Sequence, residues 1–195
     1  MTSVLSKLRV AFAIMAVAIP LLACSPPAFK SVDITGVNYA GDFALDSAAG
    51  GKHTLGDFRG KLVAVFFGFT HCPDVCPTTL ADFAEVRKRL GADADKLQVV
   101  FVTLDPERDT AAILSQYVQG FDPSFVALYG TPEQTAATAK EFKVFYMKVP
   151  GQTPTSYTLD HTAGTYVFDA NGRIRLFIRH ATPVDDITAD IRKLL

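Results

Sequence analysis

Leu62-Val63-Ala64-Val65-Phe66-Phe67-Gly68-Phe69-Thr70-His71-Cys72-Pro73-Asp74-Val75-Cys76-Pro77 decides how this chain is read. The run from Leu62 to Phe69 is apolar throughout, so it reads as a strand buried on both faces. Helical spacing starts just beyond the cysteines. Leu80, Phe83, Val86 and Leu90 recur at intervals of three and four from Thr78 onward, and Gly91 stops the run. The cysteines therefore sit where a core strand ends and a helix begins. Two thiols at such a turn can chelate a soft metal, exchange electrons as a dithiol, or do both. His161, far along the chain, is the expected third partner.

The spacing sets the chemistry. Four residues apart on a regular helix, Cβ atoms stand about 5–6 Å from each other, whereas a disulfide wants about 3.8 Å. A metal between the sulfurs tolerates the longer separation. Cys72 and Cys76 thus favour chelation, and a disulfide formed there is strained and easily reduced. A nearby helix N-terminus stabilises thiolate over thiol, which helps ligation and nucleophilic attack alike. Soft thiolates select Cu(I), zinc or iron–sulfur clusters. Two are too few for a closed zinc site or a cluster. With one imidazole they make a three-coordinate site suited to copper, open to a partner's ligands.

Four histidines compete for that role. His161 stands in Leu159-Asp160-His161-Thr162-Ala163-Gly164, read as a loop just before a strand at Thr165–Phe168. His71 is read as a packing or hydrogen-bonding residue. His53 and His180 are read as surface residues. Asp160 is a candidate outer partner for the His161 ring, although alternation can equally turn it away. Asp74 is read as the helix cap. Asp105-Pro106-Glu107-Arg108-Asp109-Thr110 reads as a turn plus cap, with partner docking as a second reading.

Outward from this centre, strands alternate with helices. Phe43-Ala44-Leu45 and Lys52-His53-Thr54-Leu55 flank Ser47-Ala48-Ala49-Gly50-Gly51, the pattern of a hairpin. Leu97–Leu104 reads as a second core strand. A helix capped by Asp109 or Thr110 runs through Val118. Phe125–Tyr129 is a short strand, Thr131-Pro132-Glu133 opens a helix, and Val144–Val149 is extended. Thr165–Phe168 and Ile174–Ile178 form a hairpin around Asp169-Ala170-Asn171-Gly172, and Pro183–Leu195 is a final helix. This order predicts an α/β domain: a thioredoxin-like mixed sheet with helices on both faces and an N-terminal hairpin. Thioredoxins keep a cis-proline before the strand that Thr165 opens. Here no proline stands there, which argues against a general disulfide oxidoreductase and leaves room for a ligand.

The chain has 195 residues, 49% of them hydrophobic, and a formal charge of −1. Near-balanced charge gives no nucleic-acid footprint. Lys7 and Arg9 precede the apolar stretch Val10–Ile19, which is shorter than the roughly 20 residues of a spanning helix. An export signal is the better reading. Leu21-Leu22-Ala23-Cys24 resembles a bacterial lipoprotein box, which implies cleavage before Cys24 and lipid on its sulfur. Residues 1–23 are then a lipoprotein-type signal peptide, 24–40 a tether, and 41–195 the thioredoxin-like copper-binding domain. Loss of Lys7 and Arg9 moves the charge to −3. Lipidation of Cys24 also resolves the odd cysteine count, leaving Cys72 and Cys76 as the pair.

Three stretches together resemble the Sco/SenC family of copper-binding proteins: Phe67–Leu80, Val102–Thr110 and Asp160-His161-Thr162. The resemblance covers the chain from about Phe43 onward. It implies copper held by Cys72, Cys76 and His161. It also implies a role in assembling the binuclear copper centre of cytochrome c oxidase, as a copper chaperone or as a thiol–disulfide reductase of that centre's cysteines. The implied partners are the oxidase subunit bearing that centre, a copper donor, a thiol reductant and, through the lipid, a membrane at the extracytoplasmic face of a bacterial envelope. On this reading the chain is a metallochaperone before it is an enzyme.

Overall fold

The computed structural model describes residues 28–153 and 156–195. The expected signal segment and Cys24 lie outside the described residues. From the amino end run β1 (Val32–Asp33), β2 (Ala44–Ser47), β3 (Lys52–Thr54), β4 (Leu62–Gly68), α1 (Val75–Leu90), β5 (Leu97–Thr103) and α2 (Ala111–Gln119). Then follow β6 (Val126–Tyr129), α3 (Pro132–Glu141), β7 (Tyr146–Pro150), β8 (Tyr157–His161), β9 (Gly164–Phe168), β10 (Ile174–Arg179) and α4 (Val184–Leu194).

Eight strands form one sheet in the order β1-β10-β9-β4-β5-β6-β2-β3. β4, β5 and β6 are parallel neighbours, joined by α1 and α2 as crossovers. Their flanks are antiparallel, so the sheet is mixed, as expected. Every residue of β4 and of β5 is buried, which explains their near-continuous apolar sequence. The β2–β3 hairpin is present and joins the sheet through β6. At its turn, Gly50 and Gly51 take φ of 102° and 78°, where side chains are strained.

Helices cover both faces. On one, Phe66 and Phe101 pack together under Tyr117 of α2, beside α1, which packs on α4. On the other, Phe67, Tyr166 and Phe168 surround Phe142, just past α3. Strand alternation produces this split, since successive side chains of β4 point to opposite faces.

In the fold itself the structure differs from the sequence reading in three main places. Residues 30–40, read as tether, lie on the domain. β1 pairs with β10, the buried Asp190 carboxylate accepts the amides of Lys30 and Ser31, and Ala40 is buried. The first helix starts at Val75 rather than Thr78, because Pro77 falls within the first turn, where its missing N–H costs nothing. And His161 ends a strand, β8, rather than lying in a loop. β8 pairs with β7 as a separate two-stranded ribbon, Tyr146 opposite His161.

Candidate metal centre

β4 delivers the chain to a turn in which the Cys72 N–H bonds to the Phe69 carbonyl at 3.2 Å. Cys72 lies before α1 and Cys76 in its first turn, so the regular-helix separation does not apply to them. Instead the Cys76 N–H donates to the Cys72 sulfur at 3.4 Å. That sulfur takes up one of the free amides every helix start exposes. Asp74 occupies the cap position, but its side chain makes no bond to a helix amide. It accepts from the Thr78 hydroxyl at 3.2 Å. The cap expected of Asp74 is thus supplied by a sulfur.

Cys76 is fully buried beneath the strand end, and both cysteines are free thiols. Gly68 makes room for the buried sulfur. A Cβ at that position would stand 2.7 Å from Cys76 Sγ and 2.9 Å from the Phe101 ring. From the sequence alone Gly68 has no packing role beyond its place in the apolar run.

His161 arrives from the ribbon. Its Nε2 is 3.8 Å from Cys76 Sγ, and its ring meets Phe66 and Phe69 edge to face. Nδ1 lies 3.0 Å from the Thr162 carbonyl. A carbonyl only accepts, so in the neutral ring Nδ1 carries the proton and Nε2 turns its lone pair toward the sulfurs. The orienting partner is therefore the Thr162 backbone and not the carboxylate of Asp160, which is exposed. Adjacent strand residues face opposite sides, and Asp160 falls on the side away from His161.

The Sγ atoms of Cys72 and Cys76 and a ring nitrogen of His161 all lie within 4.8 Å of one another. Bonds of about 2.0–2.3 Å from sulfur and nitrogen to one ion put such donors about 3.5–4.5 Å apart. The trio thus matches a single soft ion with little movement. An open groove of about 250 Å³, lined in part by Cys72, Val75, Leu159 and His161, gives access to it.

The two thiols are unequal. Cys72 is pulled down to about 5, chiefly by the hydrogen bond from the Cys76 thiol, with the Cys76 and Asp74 amides adding to it against partial burial. Cys76 is driven up by the same sharing with Cys72 and by its burial. Of the two, the half-buried Cys72 is the one poised as thiolate.

The other histidines stand apart from the trio. His71 Nδ1 meets the Thr70 hydroxyl at 3.2 Å and lies 3.8 Å from Asp109, the hydrogen-bonding role expected of it. His53 is no plain surface residue, since it stacks on Phe58 with centroids 5.4 Å apart. His180 is half-buried, its Nδ1 3.5 Å from the Thr79 hydroxyl. Asp109 is buried and bonds to Thr70 and Thr103, while Thr110 alone caps α2.

Fold and donor set define a thioredoxin-like domain that brings two sulfurs and an imidazole nitrogen together at the rim of its sheet, in the arrangement that one soft ion would need. The SCO1/SenC family model matches residues 33–195. The mitochondrial SCO2 homologue of Bos taurus is 36% identical over 155 residues, 78% of this chain and 58% of that protein. The chain therefore spans less than two thirds of that relative's length. Among solved structures, copper-bound ScoI of Bradyrhizobium japonicum superposes with a TM-score of 0.73 at 39% identity, over 80% of this chain and 98% of that one. Apo Sco1 of Thermus thermophilus gives 0.77 at 38% identity, over 86% and 98%. The chain belongs to the SCO1/SenC family.

Proposed function

We propose that this protein carries copper for assembly of cytochrome c oxidase, binding the ion as cargo through Cys72, Cys76 and His161. Sco proteins are cytochrome c oxidase assembly proteins, and the B. japonicum relative holds copper. The observation that carries the reading is the convergence of three donors within 4.8 Å, with both thiols free. Three-coordination leaves the ion open to an incoming ligand from an acceptor, here the oxidase subunit that bears the binuclear copper centre. No helix among the described residues is long and apolar enough to cross a membrane. Our reading keeps the signal peptide over residues 1–23 and a lipid on Cys24 as the tether to a membrane, at the extracytoplasmic face of a bacterial envelope.

The test is a titration of the reduced protein with copper. One equivalent should produce sulfur-to-copper charge-transfer absorption. His161→Ala should weaken binding about 10–100-fold and move the band, as loss of a ligand or its support does. An unchanged affinity and spectrum in His161→Ala would remove the three-ligand site.

The inequality of the thiols favours a second reading, a thiol–disulfide reductase. The Cys72 thiolate would attack a target disulfide, forming a mixed disulfide and releasing one target thiol. Cys76 would then displace the second, leaving Cys72–Cys76 oxidised and needing two electrons from an exported dithiol reductant. Cys76→Ser blocks the second step. Accumulation of a mixed disulfide with an oxidase subunit lacking copper would favour this reading over copper delivery.

A further inference from the structure

The segment Asp105–Thr110 follows β5 at the same sheet edge as the cysteines, and its side chains reach in two directions. Asp109, 1% exposed, accepts from the Thr70 amide at 3.0 Å, the Thr70 hydroxyl at 2.5 Å and the Thr103 hydroxyl at 2.6 Å. Thr70 stands two residues before Cys72. Asp105, 2% exposed, accepts from the Tyr157 hydroxyl at 2.7 Å and from Arg108 Nε at 2.5 Å. Arg108 also donates through Nη1 to the Tyr157 carbonyl at 2.9 Å and lays its guanidinium over the Tyr157 ring at 3.6 Å. Lys148 of β7 pairs with Glu107 at 2.7 Å.

Tyr157 opens β8 and His161 ends it. Strand alternation puts both on one face, with the buried Leu159 between them. Among the described residues the ribbon pairs with no strand of the main sheet, so its placement comes from its short link to β9 and from side chains. A turn and a helix cap would need only Thr110. Burying two further carboxylates is unfavourable unless they are fully hydrogen-bonded, and here each is satisfied by a different arm of the site.

We infer that this segment is a bracket: Asp109 fixes the cysteine turn, and Asp105 and Arg108 fix, through Tyr157, the strand that carries His161. Together they set the gap between the sulfurs and the imidazole. Arg108 and Tyr157 are positioning residues and touch no donor atom. The meaning of that gap rests on the copper reading above, but the bracket itself is testable without copper.

Two variants test it, Arg108→Ala and Tyr157→Phe. The latter removes a single hydroxyl, so it serves if Arg108→Ala fails to fold. In the metal-free protein, NMR of the histidine rings should show the His161 signals shifted and broadened in both variants, with those of His53 and His180 unmoved. Copper affinity should fall about 10–100-fold, the range for losing support behind a metal ligand. In a His161→Ala background the same changes should alter affinity by less than about twofold, because their effect runs through that imidazole. Equal losses in both backgrounds would mean general loosening and overturn the inference. So would an unmoved His161 signal. If the parent protein took up no copper at all, the functional reading would fall, while the NMR measurement would still decide the bracket.

Discussion

Cys72 and Gly68 show how much of the site is set by single atoms. The Cys72 thiol is held down to about 5, so it is deprotonated above that pH and protonated below it. Its alkylation by iodoacetamide should rise to a plateau with a midpoint near pH 5 and stay flat from pH 6 to 8. A midpoint near 8.5, the value of an ordinary cysteine, would contradict this depression of the Cys72 thiol. Cys76, buried and driven up, should remain unmodified, as peptide mass mapping would show. Gly68→Ala forces a methyl into Cys76 Sγ and Phe101. It should cost about 1–3 kcal/mol in denaturant unfolding and weaken copper binding by moving the buried sulfur. The convergence of the cysteines and His161 was legible in the sequence because few residue types can bind soft metals. Gly68 and Asp109 were not. Glycine closing a strand looks ordinary until the next turn folds back over it, and Asp109 looks like a cap because Thr110 beside it is one.

Elements with strong periodicity were read correctly from the chain alone. The apolar face of α4, with Ile187 and Ile191 buried, follows the three- and four-residue spacing. Asp190 breaks that rule, being fully buried. Burial alone would raise its carboxyl, but the amides of Lys30 and Ser31 outweigh it and hold the group below the ordinary range. A carboxyl depressed on folding stabilises at neutral pH, and that contribution is lost as pH falls through its folded value. Asp190→Asn should therefore lower stability by about 1.5–3 kcal/mol at pH 7. The gap from the parent should close in thermal melts as pH falls below the ordinary carboxyl value, and a gap independent of pH would contradict the assignment. β8 was missed for a different reason. Tyr157–His161 is five residues long, near Pro154, and it joins a ribbon held by residues some fifty positions earlier. No local pattern encodes such a contact.

Across the whole molecule, two buried strands and a crossover helix place the cysteines, and a detached ribbon brings the histidine to them. The mixed sheet was legible because β4 is apolar throughout, β5 is nearly so, and the helices between strands are well spaced. The packing behind it has one centre in Phe142, fully buried among Phe43, Phe67, Tyr166 and Phe168. Phe142→Ala should cost about 3–5 kcal/mol, read as a lower denaturant midpoint. Loading of this arrangement also depends on redox state, since a disulfide cannot offer two thiolates. Protein oxidised at Cys72 and Cys76 should take up copper only after a dithiol reductant is added.

The most direct test is X-ray absorption at the copper edge of the reduced protein loaded with one equivalent. We predict two sulfurs and one imidazole nitrogen around each ion, with the nitrogen lost in His161→Ala. A shell of sulfur alone, or one that His161→Ala leaves unaltered, would contradict the account.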